Sequence, residues 1–184
     1  MRTLKYALLG MLLQRDMTGY ELMKLFEGAL SEFWPVKHSQ IYPELKRLTE
    51  EGHVTYRVEI SGTVLEKKLY SITPLGRADF MAWLEQPHAM AAAPKEEFRL
   101  QLFFSHALET KGRIALVEDQ LEQHRRRLRH LQGNRAAFPP EEELDEAGLS
   151  DYMVLLGALA REESACGWLE QCLALLRRRE EENH

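Results

Sequence analysis

The segment from Lys37 to Gly52 constrains the fold more than any other, because as a helix it has two unlike faces. Ile41, Leu45 and Leu48 recur at spacings of four and three residues, so they share one apolar stripe. The small and basic side chains that lie roughly opposite this stripe are Ser39, Pro43, Lys46 and Arg47. Such a short helix suits the major groove of DNA, although an ordinary surface helix shows the same pattern.

Three residues predict where this helix begins and ends. Ser39 is the expected N-cap, since its hydroxyl can accept a hydrogen bond from a backbone N–H of the first turn. Gly52 is expected to supply the left-handed residue past the C-terminus. Pro43 then lies at the edge of the first turn, where its missing N–H does little harm, whereas a position further inside would break the helix.

The residues before this segment predict two helices and a loop. The first helix, residues 3–14, is apolar nearly all round, which indicates burial on several sides and favours contact with a partner subunit. The second opens at a capping box formed by Thr18 and Glu21. Its apolar stripe is Leu22, Leu25, Phe26 and Ala29, with Gly28 inside the helix. In the following loop, Phe33 and Trp34 are expected to plug the core rather than to line a pocket.

After Gly52 the period of the pattern changes from helical to two. Apolar and polar residues alternate over residues 54–60, which predicts a half-buried strand. A turn at residues 61–63 and a returning strand at residues 64–72 complete a β-hairpin. Thr73 followed by Pro74 predicts the N-cap and first residue of another helix.

The order of these elements indicates a winged helix-turn-helix. In that fold the third helix reads base edges, and the hairpin, or wing, contacts the sugar-phosphate backbone. The predicted fold class is mainly α with a small β-hairpin. An N-terminal winged helix-turn-helix domain at residues 1–86 is joined by a linker at residues 87–94 to a C-terminal helical dimerisation domain at residues 95–184.

The C-terminal half predicts long helices with heptad seams. A helix at residues 95–109 precedes one at residues 111–137, whose seam contains His124 as a packing residue rather than a ligand. The last helix, residues 150–179, has a second seam, broken only by Glu162, and a neighbouring apolar stripe. Because two adjacent stripes pack against two partners, a second copy of the chain is expected on one side. The residues assigned to this dimer contact are Leu155, Leu159, Cys166, Leu169, Leu173 and Leu176.

Short motifs in the N-terminal half are typical of one known family. They are Leu9-Gly10, Gly19-Tyr20-Glu21-Leu22, Phe33-Trp34, Ile41-Tyr42-Pro43 with Leu45, Arg47 and Leu48, Glu51-Gly52, and Lys68, Tyr70, Thr73 and Gly76. By these motifs the chain resembles the PadR family of bacterial transcriptional regulators. More weakly, the full chain resembles the long form of that family, which has a virulence-activator-like helical C-terminal domain.

The resemblance implies a homodimeric winged-helix repressor, occasionally an activator, whose DNA affinity falls when a small molecule or stress signal acts. Ser39-Gln40 stands where the family usually has Gly-Thr, and the wing tip at residues 61–63 lacks the arginines often found there. Both departures lie where sequence preference is set, so the operator is expected to differ.

The predicted contacts with double-stranded operator DNA lie on the third helix and the wing. Lys37 and Lys46 are expected to meet phosphates, and Gln40 to pair bidentately with adenine. The full set is Lys37, Ser39, Gln40, Tyr42, Pro43, Lys46, Arg47, Lys67, Lys68 and Tyr70. The resemblance also implies an effector site, expected at the junction of the two domains. Phe33, Trp34 and Phe98 would line it for a small apolar or phenolic ligand, although core packing explains these rings equally well.

Composition and charge exclude several other classes. With 45% hydrophobic and 29% charged residues the chain is globular, and no apolar run is long enough to cross a bilayer, so no membrane partner is expected. Residues 1–86 carry 11 basic and 11 acidic side chains, so the net charge of −5 resides in the C-terminal half. Cys166 and Cys172 are expected to be reduced and inert in packing, and a cytoplasmic location is the simplest interpretation.

No catalytic, metal or cofactor site is predicted, so an enzyme is not expected. The sequence has no HExxH-type zinc motif, no P-loop and no GxGxxG. The arginine runs at residues 125–127 and 177–179 are expected to lie on solvated helix faces. The alternative left open is a winged-helix protein-interaction module without DNA binding, which the neutral N-terminal half favours.

Overall fold

A computed structural model describes residues 2–61, 65–90 and 94–182 of the chain. Residues 62–64, which include two of the three residues of the predicted wing tip at 61–63, and residues 91–93 of the predicted linker lie outside the described residues. The chain divides into two compact units, Met1–Ala91 and Ala92–His184, and each has a hydrophobic core of its own.

The described part of the first unit contains four α-helices and one 3₁₀ turn. They are α1 Thr3–Gln14, α2 Gly19–Glu27, the 3₁₀ turn Ala29–Glu32, α3 His38–Glu50 and α4 Pro74–Leu84. Only α2 departs from its predicted stripe. Gly28 caps its C-terminus instead of lying inside it, Ala29 belongs to the 3₁₀ turn, and Leu25 is exposed.

Two helix starts follow the predicted capping residues. The Thr18 backbone N–H donates to Glu21 Oε2 at 2.8 Å, and the Glu21 N–H donates to Thr18 Oγ1 at 3.2 Å. The backbone hydrogen bond from Thr18, followed by the side-chain bonds from Arg15 and Thr18, lowers the pKa of Glu21 from 4.5 to about 2. Thr73 caps α4, accepting from the Gly76 N–H at 3.0 Å, with Pro74 as the first helical residue.

The strands form one antiparallel sheet in the order β1-β3-β2. Their bounds are β1 Met17–Thr18, β2 Val54–Ser61 and β3 Leu65–Ile72. β2 and β3 are the predicted hairpin. β1 was not predicted, because two residues show no period. It pairs with β3 through Met17 opposite Tyr70 and Thr18 opposite Leu69.

The prediction that β2 is half-buried holds only at the base of the hairpin. Val54, opposite Ile72, is buried in the core, whereas Val58, opposite Lys68, is exposed. The two-residue period therefore continues along the strand after the core that it would face has ended.

α1 lies in the centre of the first unit. The core there consists of Leu8, Leu9, Met11, Leu12, Met17, Leu22, Phe26, Ile41, Leu45, Leu48, Val54, Tyr70 and Phe80. α1 packs against α3, α4 and β3, and none of its residues from Thr3 to Leu13 is exposed. Its own domain covers part of the apolar surface of α1, and the predicted contact of α1 with a partner subunit stays a prediction.

The second unit is a hairpin of two long helices with one short helix packed on it. Its elements are α5 Glu97–Phe104, a 3₁₀ turn Ser105–Ala107, α6 Thr110–Ala136, a 3₁₀ turn Glu141–Glu143 and α7 Glu146–Glu182. α5 is shorter than predicted, because its last turn tightens into the 3₁₀ turn and Leu108 is extended. α7 begins earlier and ends later than predicted.

α6 and α7 pack together along the two predicted seams. Val117, Leu121 and Leu131 of α6 are buried against leucines of α7. His124 and Glu162, the polar position of each seam, meet across the hairpin with Nδ1 2.6 Å from Oε2. The prediction that His124 is a seam residue is thus confirmed. In the described ranges, no helix is long and apolar enough to span a membrane.

The mainly α fold with a small β-hairpin is confirmed. The sheet has one short strand more than predicted. This strand, β1, joins the hairpin to the start of α2.

Candidate nucleic-acid interface

α3 has the two unlike faces that its sequence predicts. Ile41, Leu45 and Leu48 are completely buried. The side chains predicted to contact DNA are all exposed on this segment: Lys37, Ser39, Gln40, Tyr42, Pro43, Lys46 and Arg47. α3 therefore presents a polar surface while its apolar side anchors it in the core.

The start of α3 differs from the prediction. The N-cap is Lys37, and Ser39 is the second helical residue. Gln40, the third helical residue, reaches back to this N-cap, because its Oε1 accepts the Lys37 backbone N–H at 3.3 Å. Pro43 is consequently the sixth helical residue, and α3 continues to Glu50. The expectation that a proline this far inside breaks the helix is wrong, since buried residues on both sides of Pro43 hold α3 in place.

The end of α3 follows the prediction. Gly52 has φ +75°, in the left-handed region. Its N–H donates to the Thr49 carbonyl at 3.1 Å, and the His53 N–H donates to the Leu48 carbonyl at 2.9 Å. These two bonds form a Schellman motif, which satisfies carbonyls that would otherwise lack partners. β2 follows directly, so the motif fixes where the wing begins.

The cations of α3 are held only loosely. Lys46 Nζ lies 3.8 Å from Glu50, and Arg47 Nη1 lies 3.9 Å from Glu44. The exposed Lys46–Glu50 pair contributes about 0–1 kcal/mol, and at these distances both cationic side chains can turn toward a phosphate. Lys37 has no acidic partner among the described residues.

Glu44 is the buried charge of α3, and Arg2 neutralises it. Arg2 Nη2 and Nε donate to Glu44 Oε1 at 2.6 and 3.1 Å. Without this partner, the carboxylate would attract Arg47 more strongly and would oppose the approach of a polyanion. The neutral charge balance of the N-terminal half therefore hides an uneven distribution, in which several acids are paired away from the exposed face.

The wing contributes two of the three side chains predicted there. Lys67 and Lys68 are exposed, and Lys68 Nζ lies 4.2 Å from the centre of the Tyr56 ring, a cation–π contact. Tyr70 is a correction, because it is only 7% exposed and belongs to the core. Burial is the largest cause that raises the pKa of the Tyr70 hydroxyl. The core covers this face of β3 at Tyr70 but not at Lys68, two residues closer to the wing tip.

α3 and the wing line one open groove with a volume of about 1350 Å³. Lys46 faces it from α3, and Lys67 and Lys68 face it from the wing. Two exposed residues that were not predicted also line it, Tyr20 and Tyr56. The sequence held a signal for Tyr20, which stands two residues before the buried Leu22 and so on the opposite side of α2.

The aromatic residues proposed for an effector have different surroundings. Phe33 and Trp34 are 44% and 40% exposed, so the prediction that they plug the core is wrong. The 3₁₀ turn before them brings the chain to the surface, and their backbone N–H groups both donate to the Leu30 carbonyl. Phe98 of α5 is half-buried, with its ring edge-on to Trp168 of α7 at 6.1 Å.

The six residues predicted to contact a partner subunit are instead buried within their own chain. Leu155, Leu159, Cys166, Leu169, Leu173 and Leu176 are buried in the α6–α7 hairpin of their own chain. A seam in the sequence does not reveal whether its partner belongs to the same chain, and here α6 fills that place. The assignment is therefore corrected. α7 instead exposes Leu149, Met153 and Leu156, which are spaced like one helix face.

Among the described residues, neither the cysteines nor the acidic side chains form a reactive or metal-binding site. Burial raises the pKa of the Cys166 thiol and of the Cys172 thiol, which makes both poor nucleophiles. Among the described residues there is no group of three or more His, Cys, Asp or Glu side chains that could hold a metal ion. Arg125 and Arg177 bridge the helices to Glu170 and Glu118.

Comparisons with known families agree with this geometry. The family described as "Transcriptional regulator PadR-like family" matches residues 8–82, and the family described as "Virulence activator alpha C-term" matches residues 94–177. The negative transcriptional regulator PadR of Bacillus subtilis is 39% identical over 179 residues, which are 96% of this chain and 98% of the relative.

Solved structures are similar over nearly the whole chain. The B. subtilis PadR complex with operator DNA has a TM-score of 0.86 and 39% identity, and covers 95% of this chain and 99% of that one. The complex of the same protein with p-coumaric acid has a TM-score of 0.84 and 36% identity, with 96% and 99% coverage. The virulence activator AphA of Vibrio cholerae has a TM-score of 0.77 and 29% identity, again with 96% and 99% coverage.

Proposed function

The chain belongs to the PadR-like family of transcriptional regulators, and from this premise we propose that it is a dimeric repressor that acts on operator DNA in the cytoplasm. The B. subtilis relative is a negative regulator and supports repression, whereas the V. cholerae relative is an activator. Because the family consists of transcriptional regulators, the prediction that the chain is not an enzyme is confirmed.

The observation that carries the proposal is the groove shared by α3 and the wing. Basic side chains reach it from two elements that the sheet and the Schellman motif hold together. In the proposed complex, α3 enters the major groove and the wing lies along the neighbouring backbone. Lys37, Lys46, Arg47, Lys67 and Lys68 contact phosphates, and Ser39 and Gln40 contact base edges.

Three of the sequence-predicted DNA residues take more specific roles in this proposal. The Tyr42 hydroxyl donates to a phosphate, and Pro43 rests on a thymine methyl. Tyr70 acts from within, since its buried ring supports the strand that carries Lys67 and Lys68.

The proposed dimer contact is the exposed apolar stripe of α7. Leu149, Met153 and Leu156 lie at positions i, i+4 and i+7 and leave apolar area in water. In the proposed complex a second copy covers this stripe, and the two α3 helices occupy successive major grooves, about 34–36 Å apart. Residues 95–184 are thus proposed to set the half-site spacing, while residues 1–86 make the DNA contacts.

A small phenolic effector is proposed from the B. subtilis relative, whose structure with p-coumaric acid is similar to this chain. Phe33, Trp34 and Phe98 remain the proposed contacts. The exposure of the first two rings supports this role, because they are available to a ligand and are not needed by the core.

Selection of DNA ligands from a random duplex pool by the full-length chain tests DNA binding. We expect one enriched sequence, bound in mobility-shift assays with an affinity that falls steeply between about 50 and 200 mM salt. Lys46→Ala should weaken operator and random DNA alike and reduce the salt slope by about 1. Lys111→Ala, which removes a charge from the exposed start of α6, is the matched control and should leave the slope unchanged.

The alternative, a protein-interaction module without DNA binding, predicts no enriched sequence in the same selection. The effector is tested separately, by adding p-coumaric acid to a fluorescent operator complex. We expect release of the operator, and Trp34→Ala should raise the concentration needed. Unchanged binding of the wild-type protein at millimolar p-coumaric acid would contradict a phenolic effector of this kind.

A further inference from the structure

We propose that Gly19 is a positioning residue for DNA binding, because the missing side chain makes room for the ring of Tyr42 across the start of α2. The inference rests on the proposed DNA-binding function. It assigns a role to a glycine that contacts no DNA itself and that acts through a residue of the recognition helix.

The space around Gly19 provides the first argument. A Cβ atom on Gly19 would lie 2.6 Å from Cε1, 3.1 Å from Cζ and 3.2 Å from Oη of Tyr42. Real Cβ atoms do not approach other atoms to 2.6 Å, so any larger residue forces the ring to move. The backbone does not require glycine here, since Gly52 is the only described glycine with a positive φ.

The position of Gly19 in the fold provides the second argument. Gly19 is the first residue of α2 and directly follows Thr18, which pairs with Leu69 of β3. The Tyr42 ring therefore lies where α2, α3 and the wing strand converge. The phenol of Tyr42 is also close enough to the buried Tyr70 to add to the rise in its pKa that burial causes. One ring thus contacts or approaches all three elements of the proposed interface.

The exposure of Tyr42 decides what an added side chain would do. Tyr42 is 53% exposed, so its ring can swing into solvent at little cost to the core. Alanine at position 19 is therefore expected to displace the ring rather than to unfold the domain. The hydroxyl would then leave the groove in which it donates to a phosphate.

A double-mutant cycle tests the coupling of these two residues. Gly19→Ala and Tyr42→Ala are each expected to weaken binding of the selected operator about tenfold, the effect of losing one charge-assisted hydrogen bond. The double variant is expected to bind no more weakly than Tyr42→Ala alone, because Gly19 acts only through that ring. Gly133→Ala is the matched control, since a Cβ there has no neighbour within 4 Å.

Two further measurements separate positioning from folding. Thermal melting of Gly19→Ala should stay close to that of the wild type. Tyr42→Phe keeps the ring but not the hydroxyl, so it should retain the nuclear Overhauser contact between Gly19 Hα and the ring and still bind DNA more weakly. Absence of that contact in the wild-type protein would overturn the positioning itself.

The remaining outcomes are also distinct. Wild-type affinity in Gly19→Ala, or an equal further loss when Gly19→Ala is added to Tyr42→Ala, would overturn the inference while the proposed function stands. If the wild-type chain enriched no DNA sequence, the proposed function would fall, and the role of Gly19 in DNA binding would fall with it.

Discussion

α3 and α7 are both amphipathic helices with a buried seam, but their second faces differ. Opposite its buried Ile41, Leu45 and Leu48, α3 carries small and charged residues. α7 carries an additional apolar stripe that includes Met153, which is 57% exposed. The first arrangement leaves a surface suited to a polyanion, whereas the second leaves exposed apolar area of the kind that marks a protein–protein contact. This difference underlies the proposal that one helix reads DNA and the other contacts a second copy.

Among the substitutions that test this difference, Met153→Glu is expected to have the largest effect, on dimer formation and on operator affinity. A carboxylate in the middle of the proposed contact stays unpaired when it is desolvated, so the dimer should dissociate. Operator affinity should then fall by about 10²–10⁴-fold, because two linked half-site contacts become one. Sedimentation and mobility shift measure the two effects.

Arg161→Glu provides the matched control for Met153→Glu. It adds a new negative charge on the same helix, at an exposed position outside the apolar stripe. It should stay dimeric. A Met153→Glu variant that is as dimeric as this control would show that α7 does not carry the contact, and the contrast with α3 would be lost.

Leu169→Ala tests whether the buried seam of α7 belongs to its own chain. Leu169 is completely buried against α6, so truncation should lower the free energy of unfolding by about 2–5 kcal/mol. Leu175→Ala, at an exposed position of the same helix, should cost much less. Urea unfolding of both variants gives the comparison. A larger loss for Leu175→Ala would mean that the exposed side, not the seam, is the better packed one.

The sequence predicted both helices but not their partners. The heptad spacing fixed which residues of α6 and α7 are buried, since burial follows period. It could not distinguish a partner helix in the same chain from one in another, so six residues were assigned to the dimer. The same limit applies to His124, predicted as a packing residue of one seam, and Glu162, predicted to break the other: the sequence did not pair them.

The ends of helices were predictable where only a few residue types can fill the position. Gly52 and the pair Thr18 and Glu21 lie as predicted, because few residues can take a left-handed turn or a capping box. Ser39 was misassigned because α3 begins two residues earlier than predicted, with Lys37 as its N-cap and Gln40 accepting the Lys37 N–H. Tyr70 was misassigned because the period of a strand gives the face and not the depth at which the core ends.

Gln40→Ala tests whether the exposed face of α3 reads DNA bases. If Gln40 contacts a base edge, its loss should cost about 1–3 kcal/mol on the operator and almost nothing on random DNA. Gln40→Glu keeps an oxygen for the Lys37 N–H but removes both side-chain donors, so it should preserve stability while losing operator preference. An unchanged ratio of operator to random affinity in Gln40→Ala would leave Gln40 with a capping role only.

Glu21→Gln is expected to have the smallest effect, and it concerns how firmly α2 holds the proposed interface. The pKa of Glu21 is lowered from 4.5 to about 2 in the folded chain. A lowered folded-state pKa contributes stability above about pH 4.5, and this stability disappears as the pH falls through about 2. The side chain is 39% exposed, so solvent screening limits the contribution to about 1 kcal/mol. Glutamine keeps an acceptor for the Thr18 N–H but does not titrate.

The stability difference between wild type and Glu21→Gln should therefore shrink from pH 5 to pH 2, as measured by denaturant unfolding at each pH. Arg15→Ala removes the hydrogen bond and the charge of Arg15, whereas the backbone hydrogen bond from Thr18, the largest cause of the lowered pKa, remains. Its pH-dependent loss of stability should accordingly begin near the same pH as in the wild type, about 4.5, but should be smaller and end at a higher pH. A pH-independent difference for Glu21→Gln would mean that the capping box acts by hydrogen bonding alone. The start of α2 would then be held like the start of α3, where the neutral Gln40 Oε1 is the acceptor.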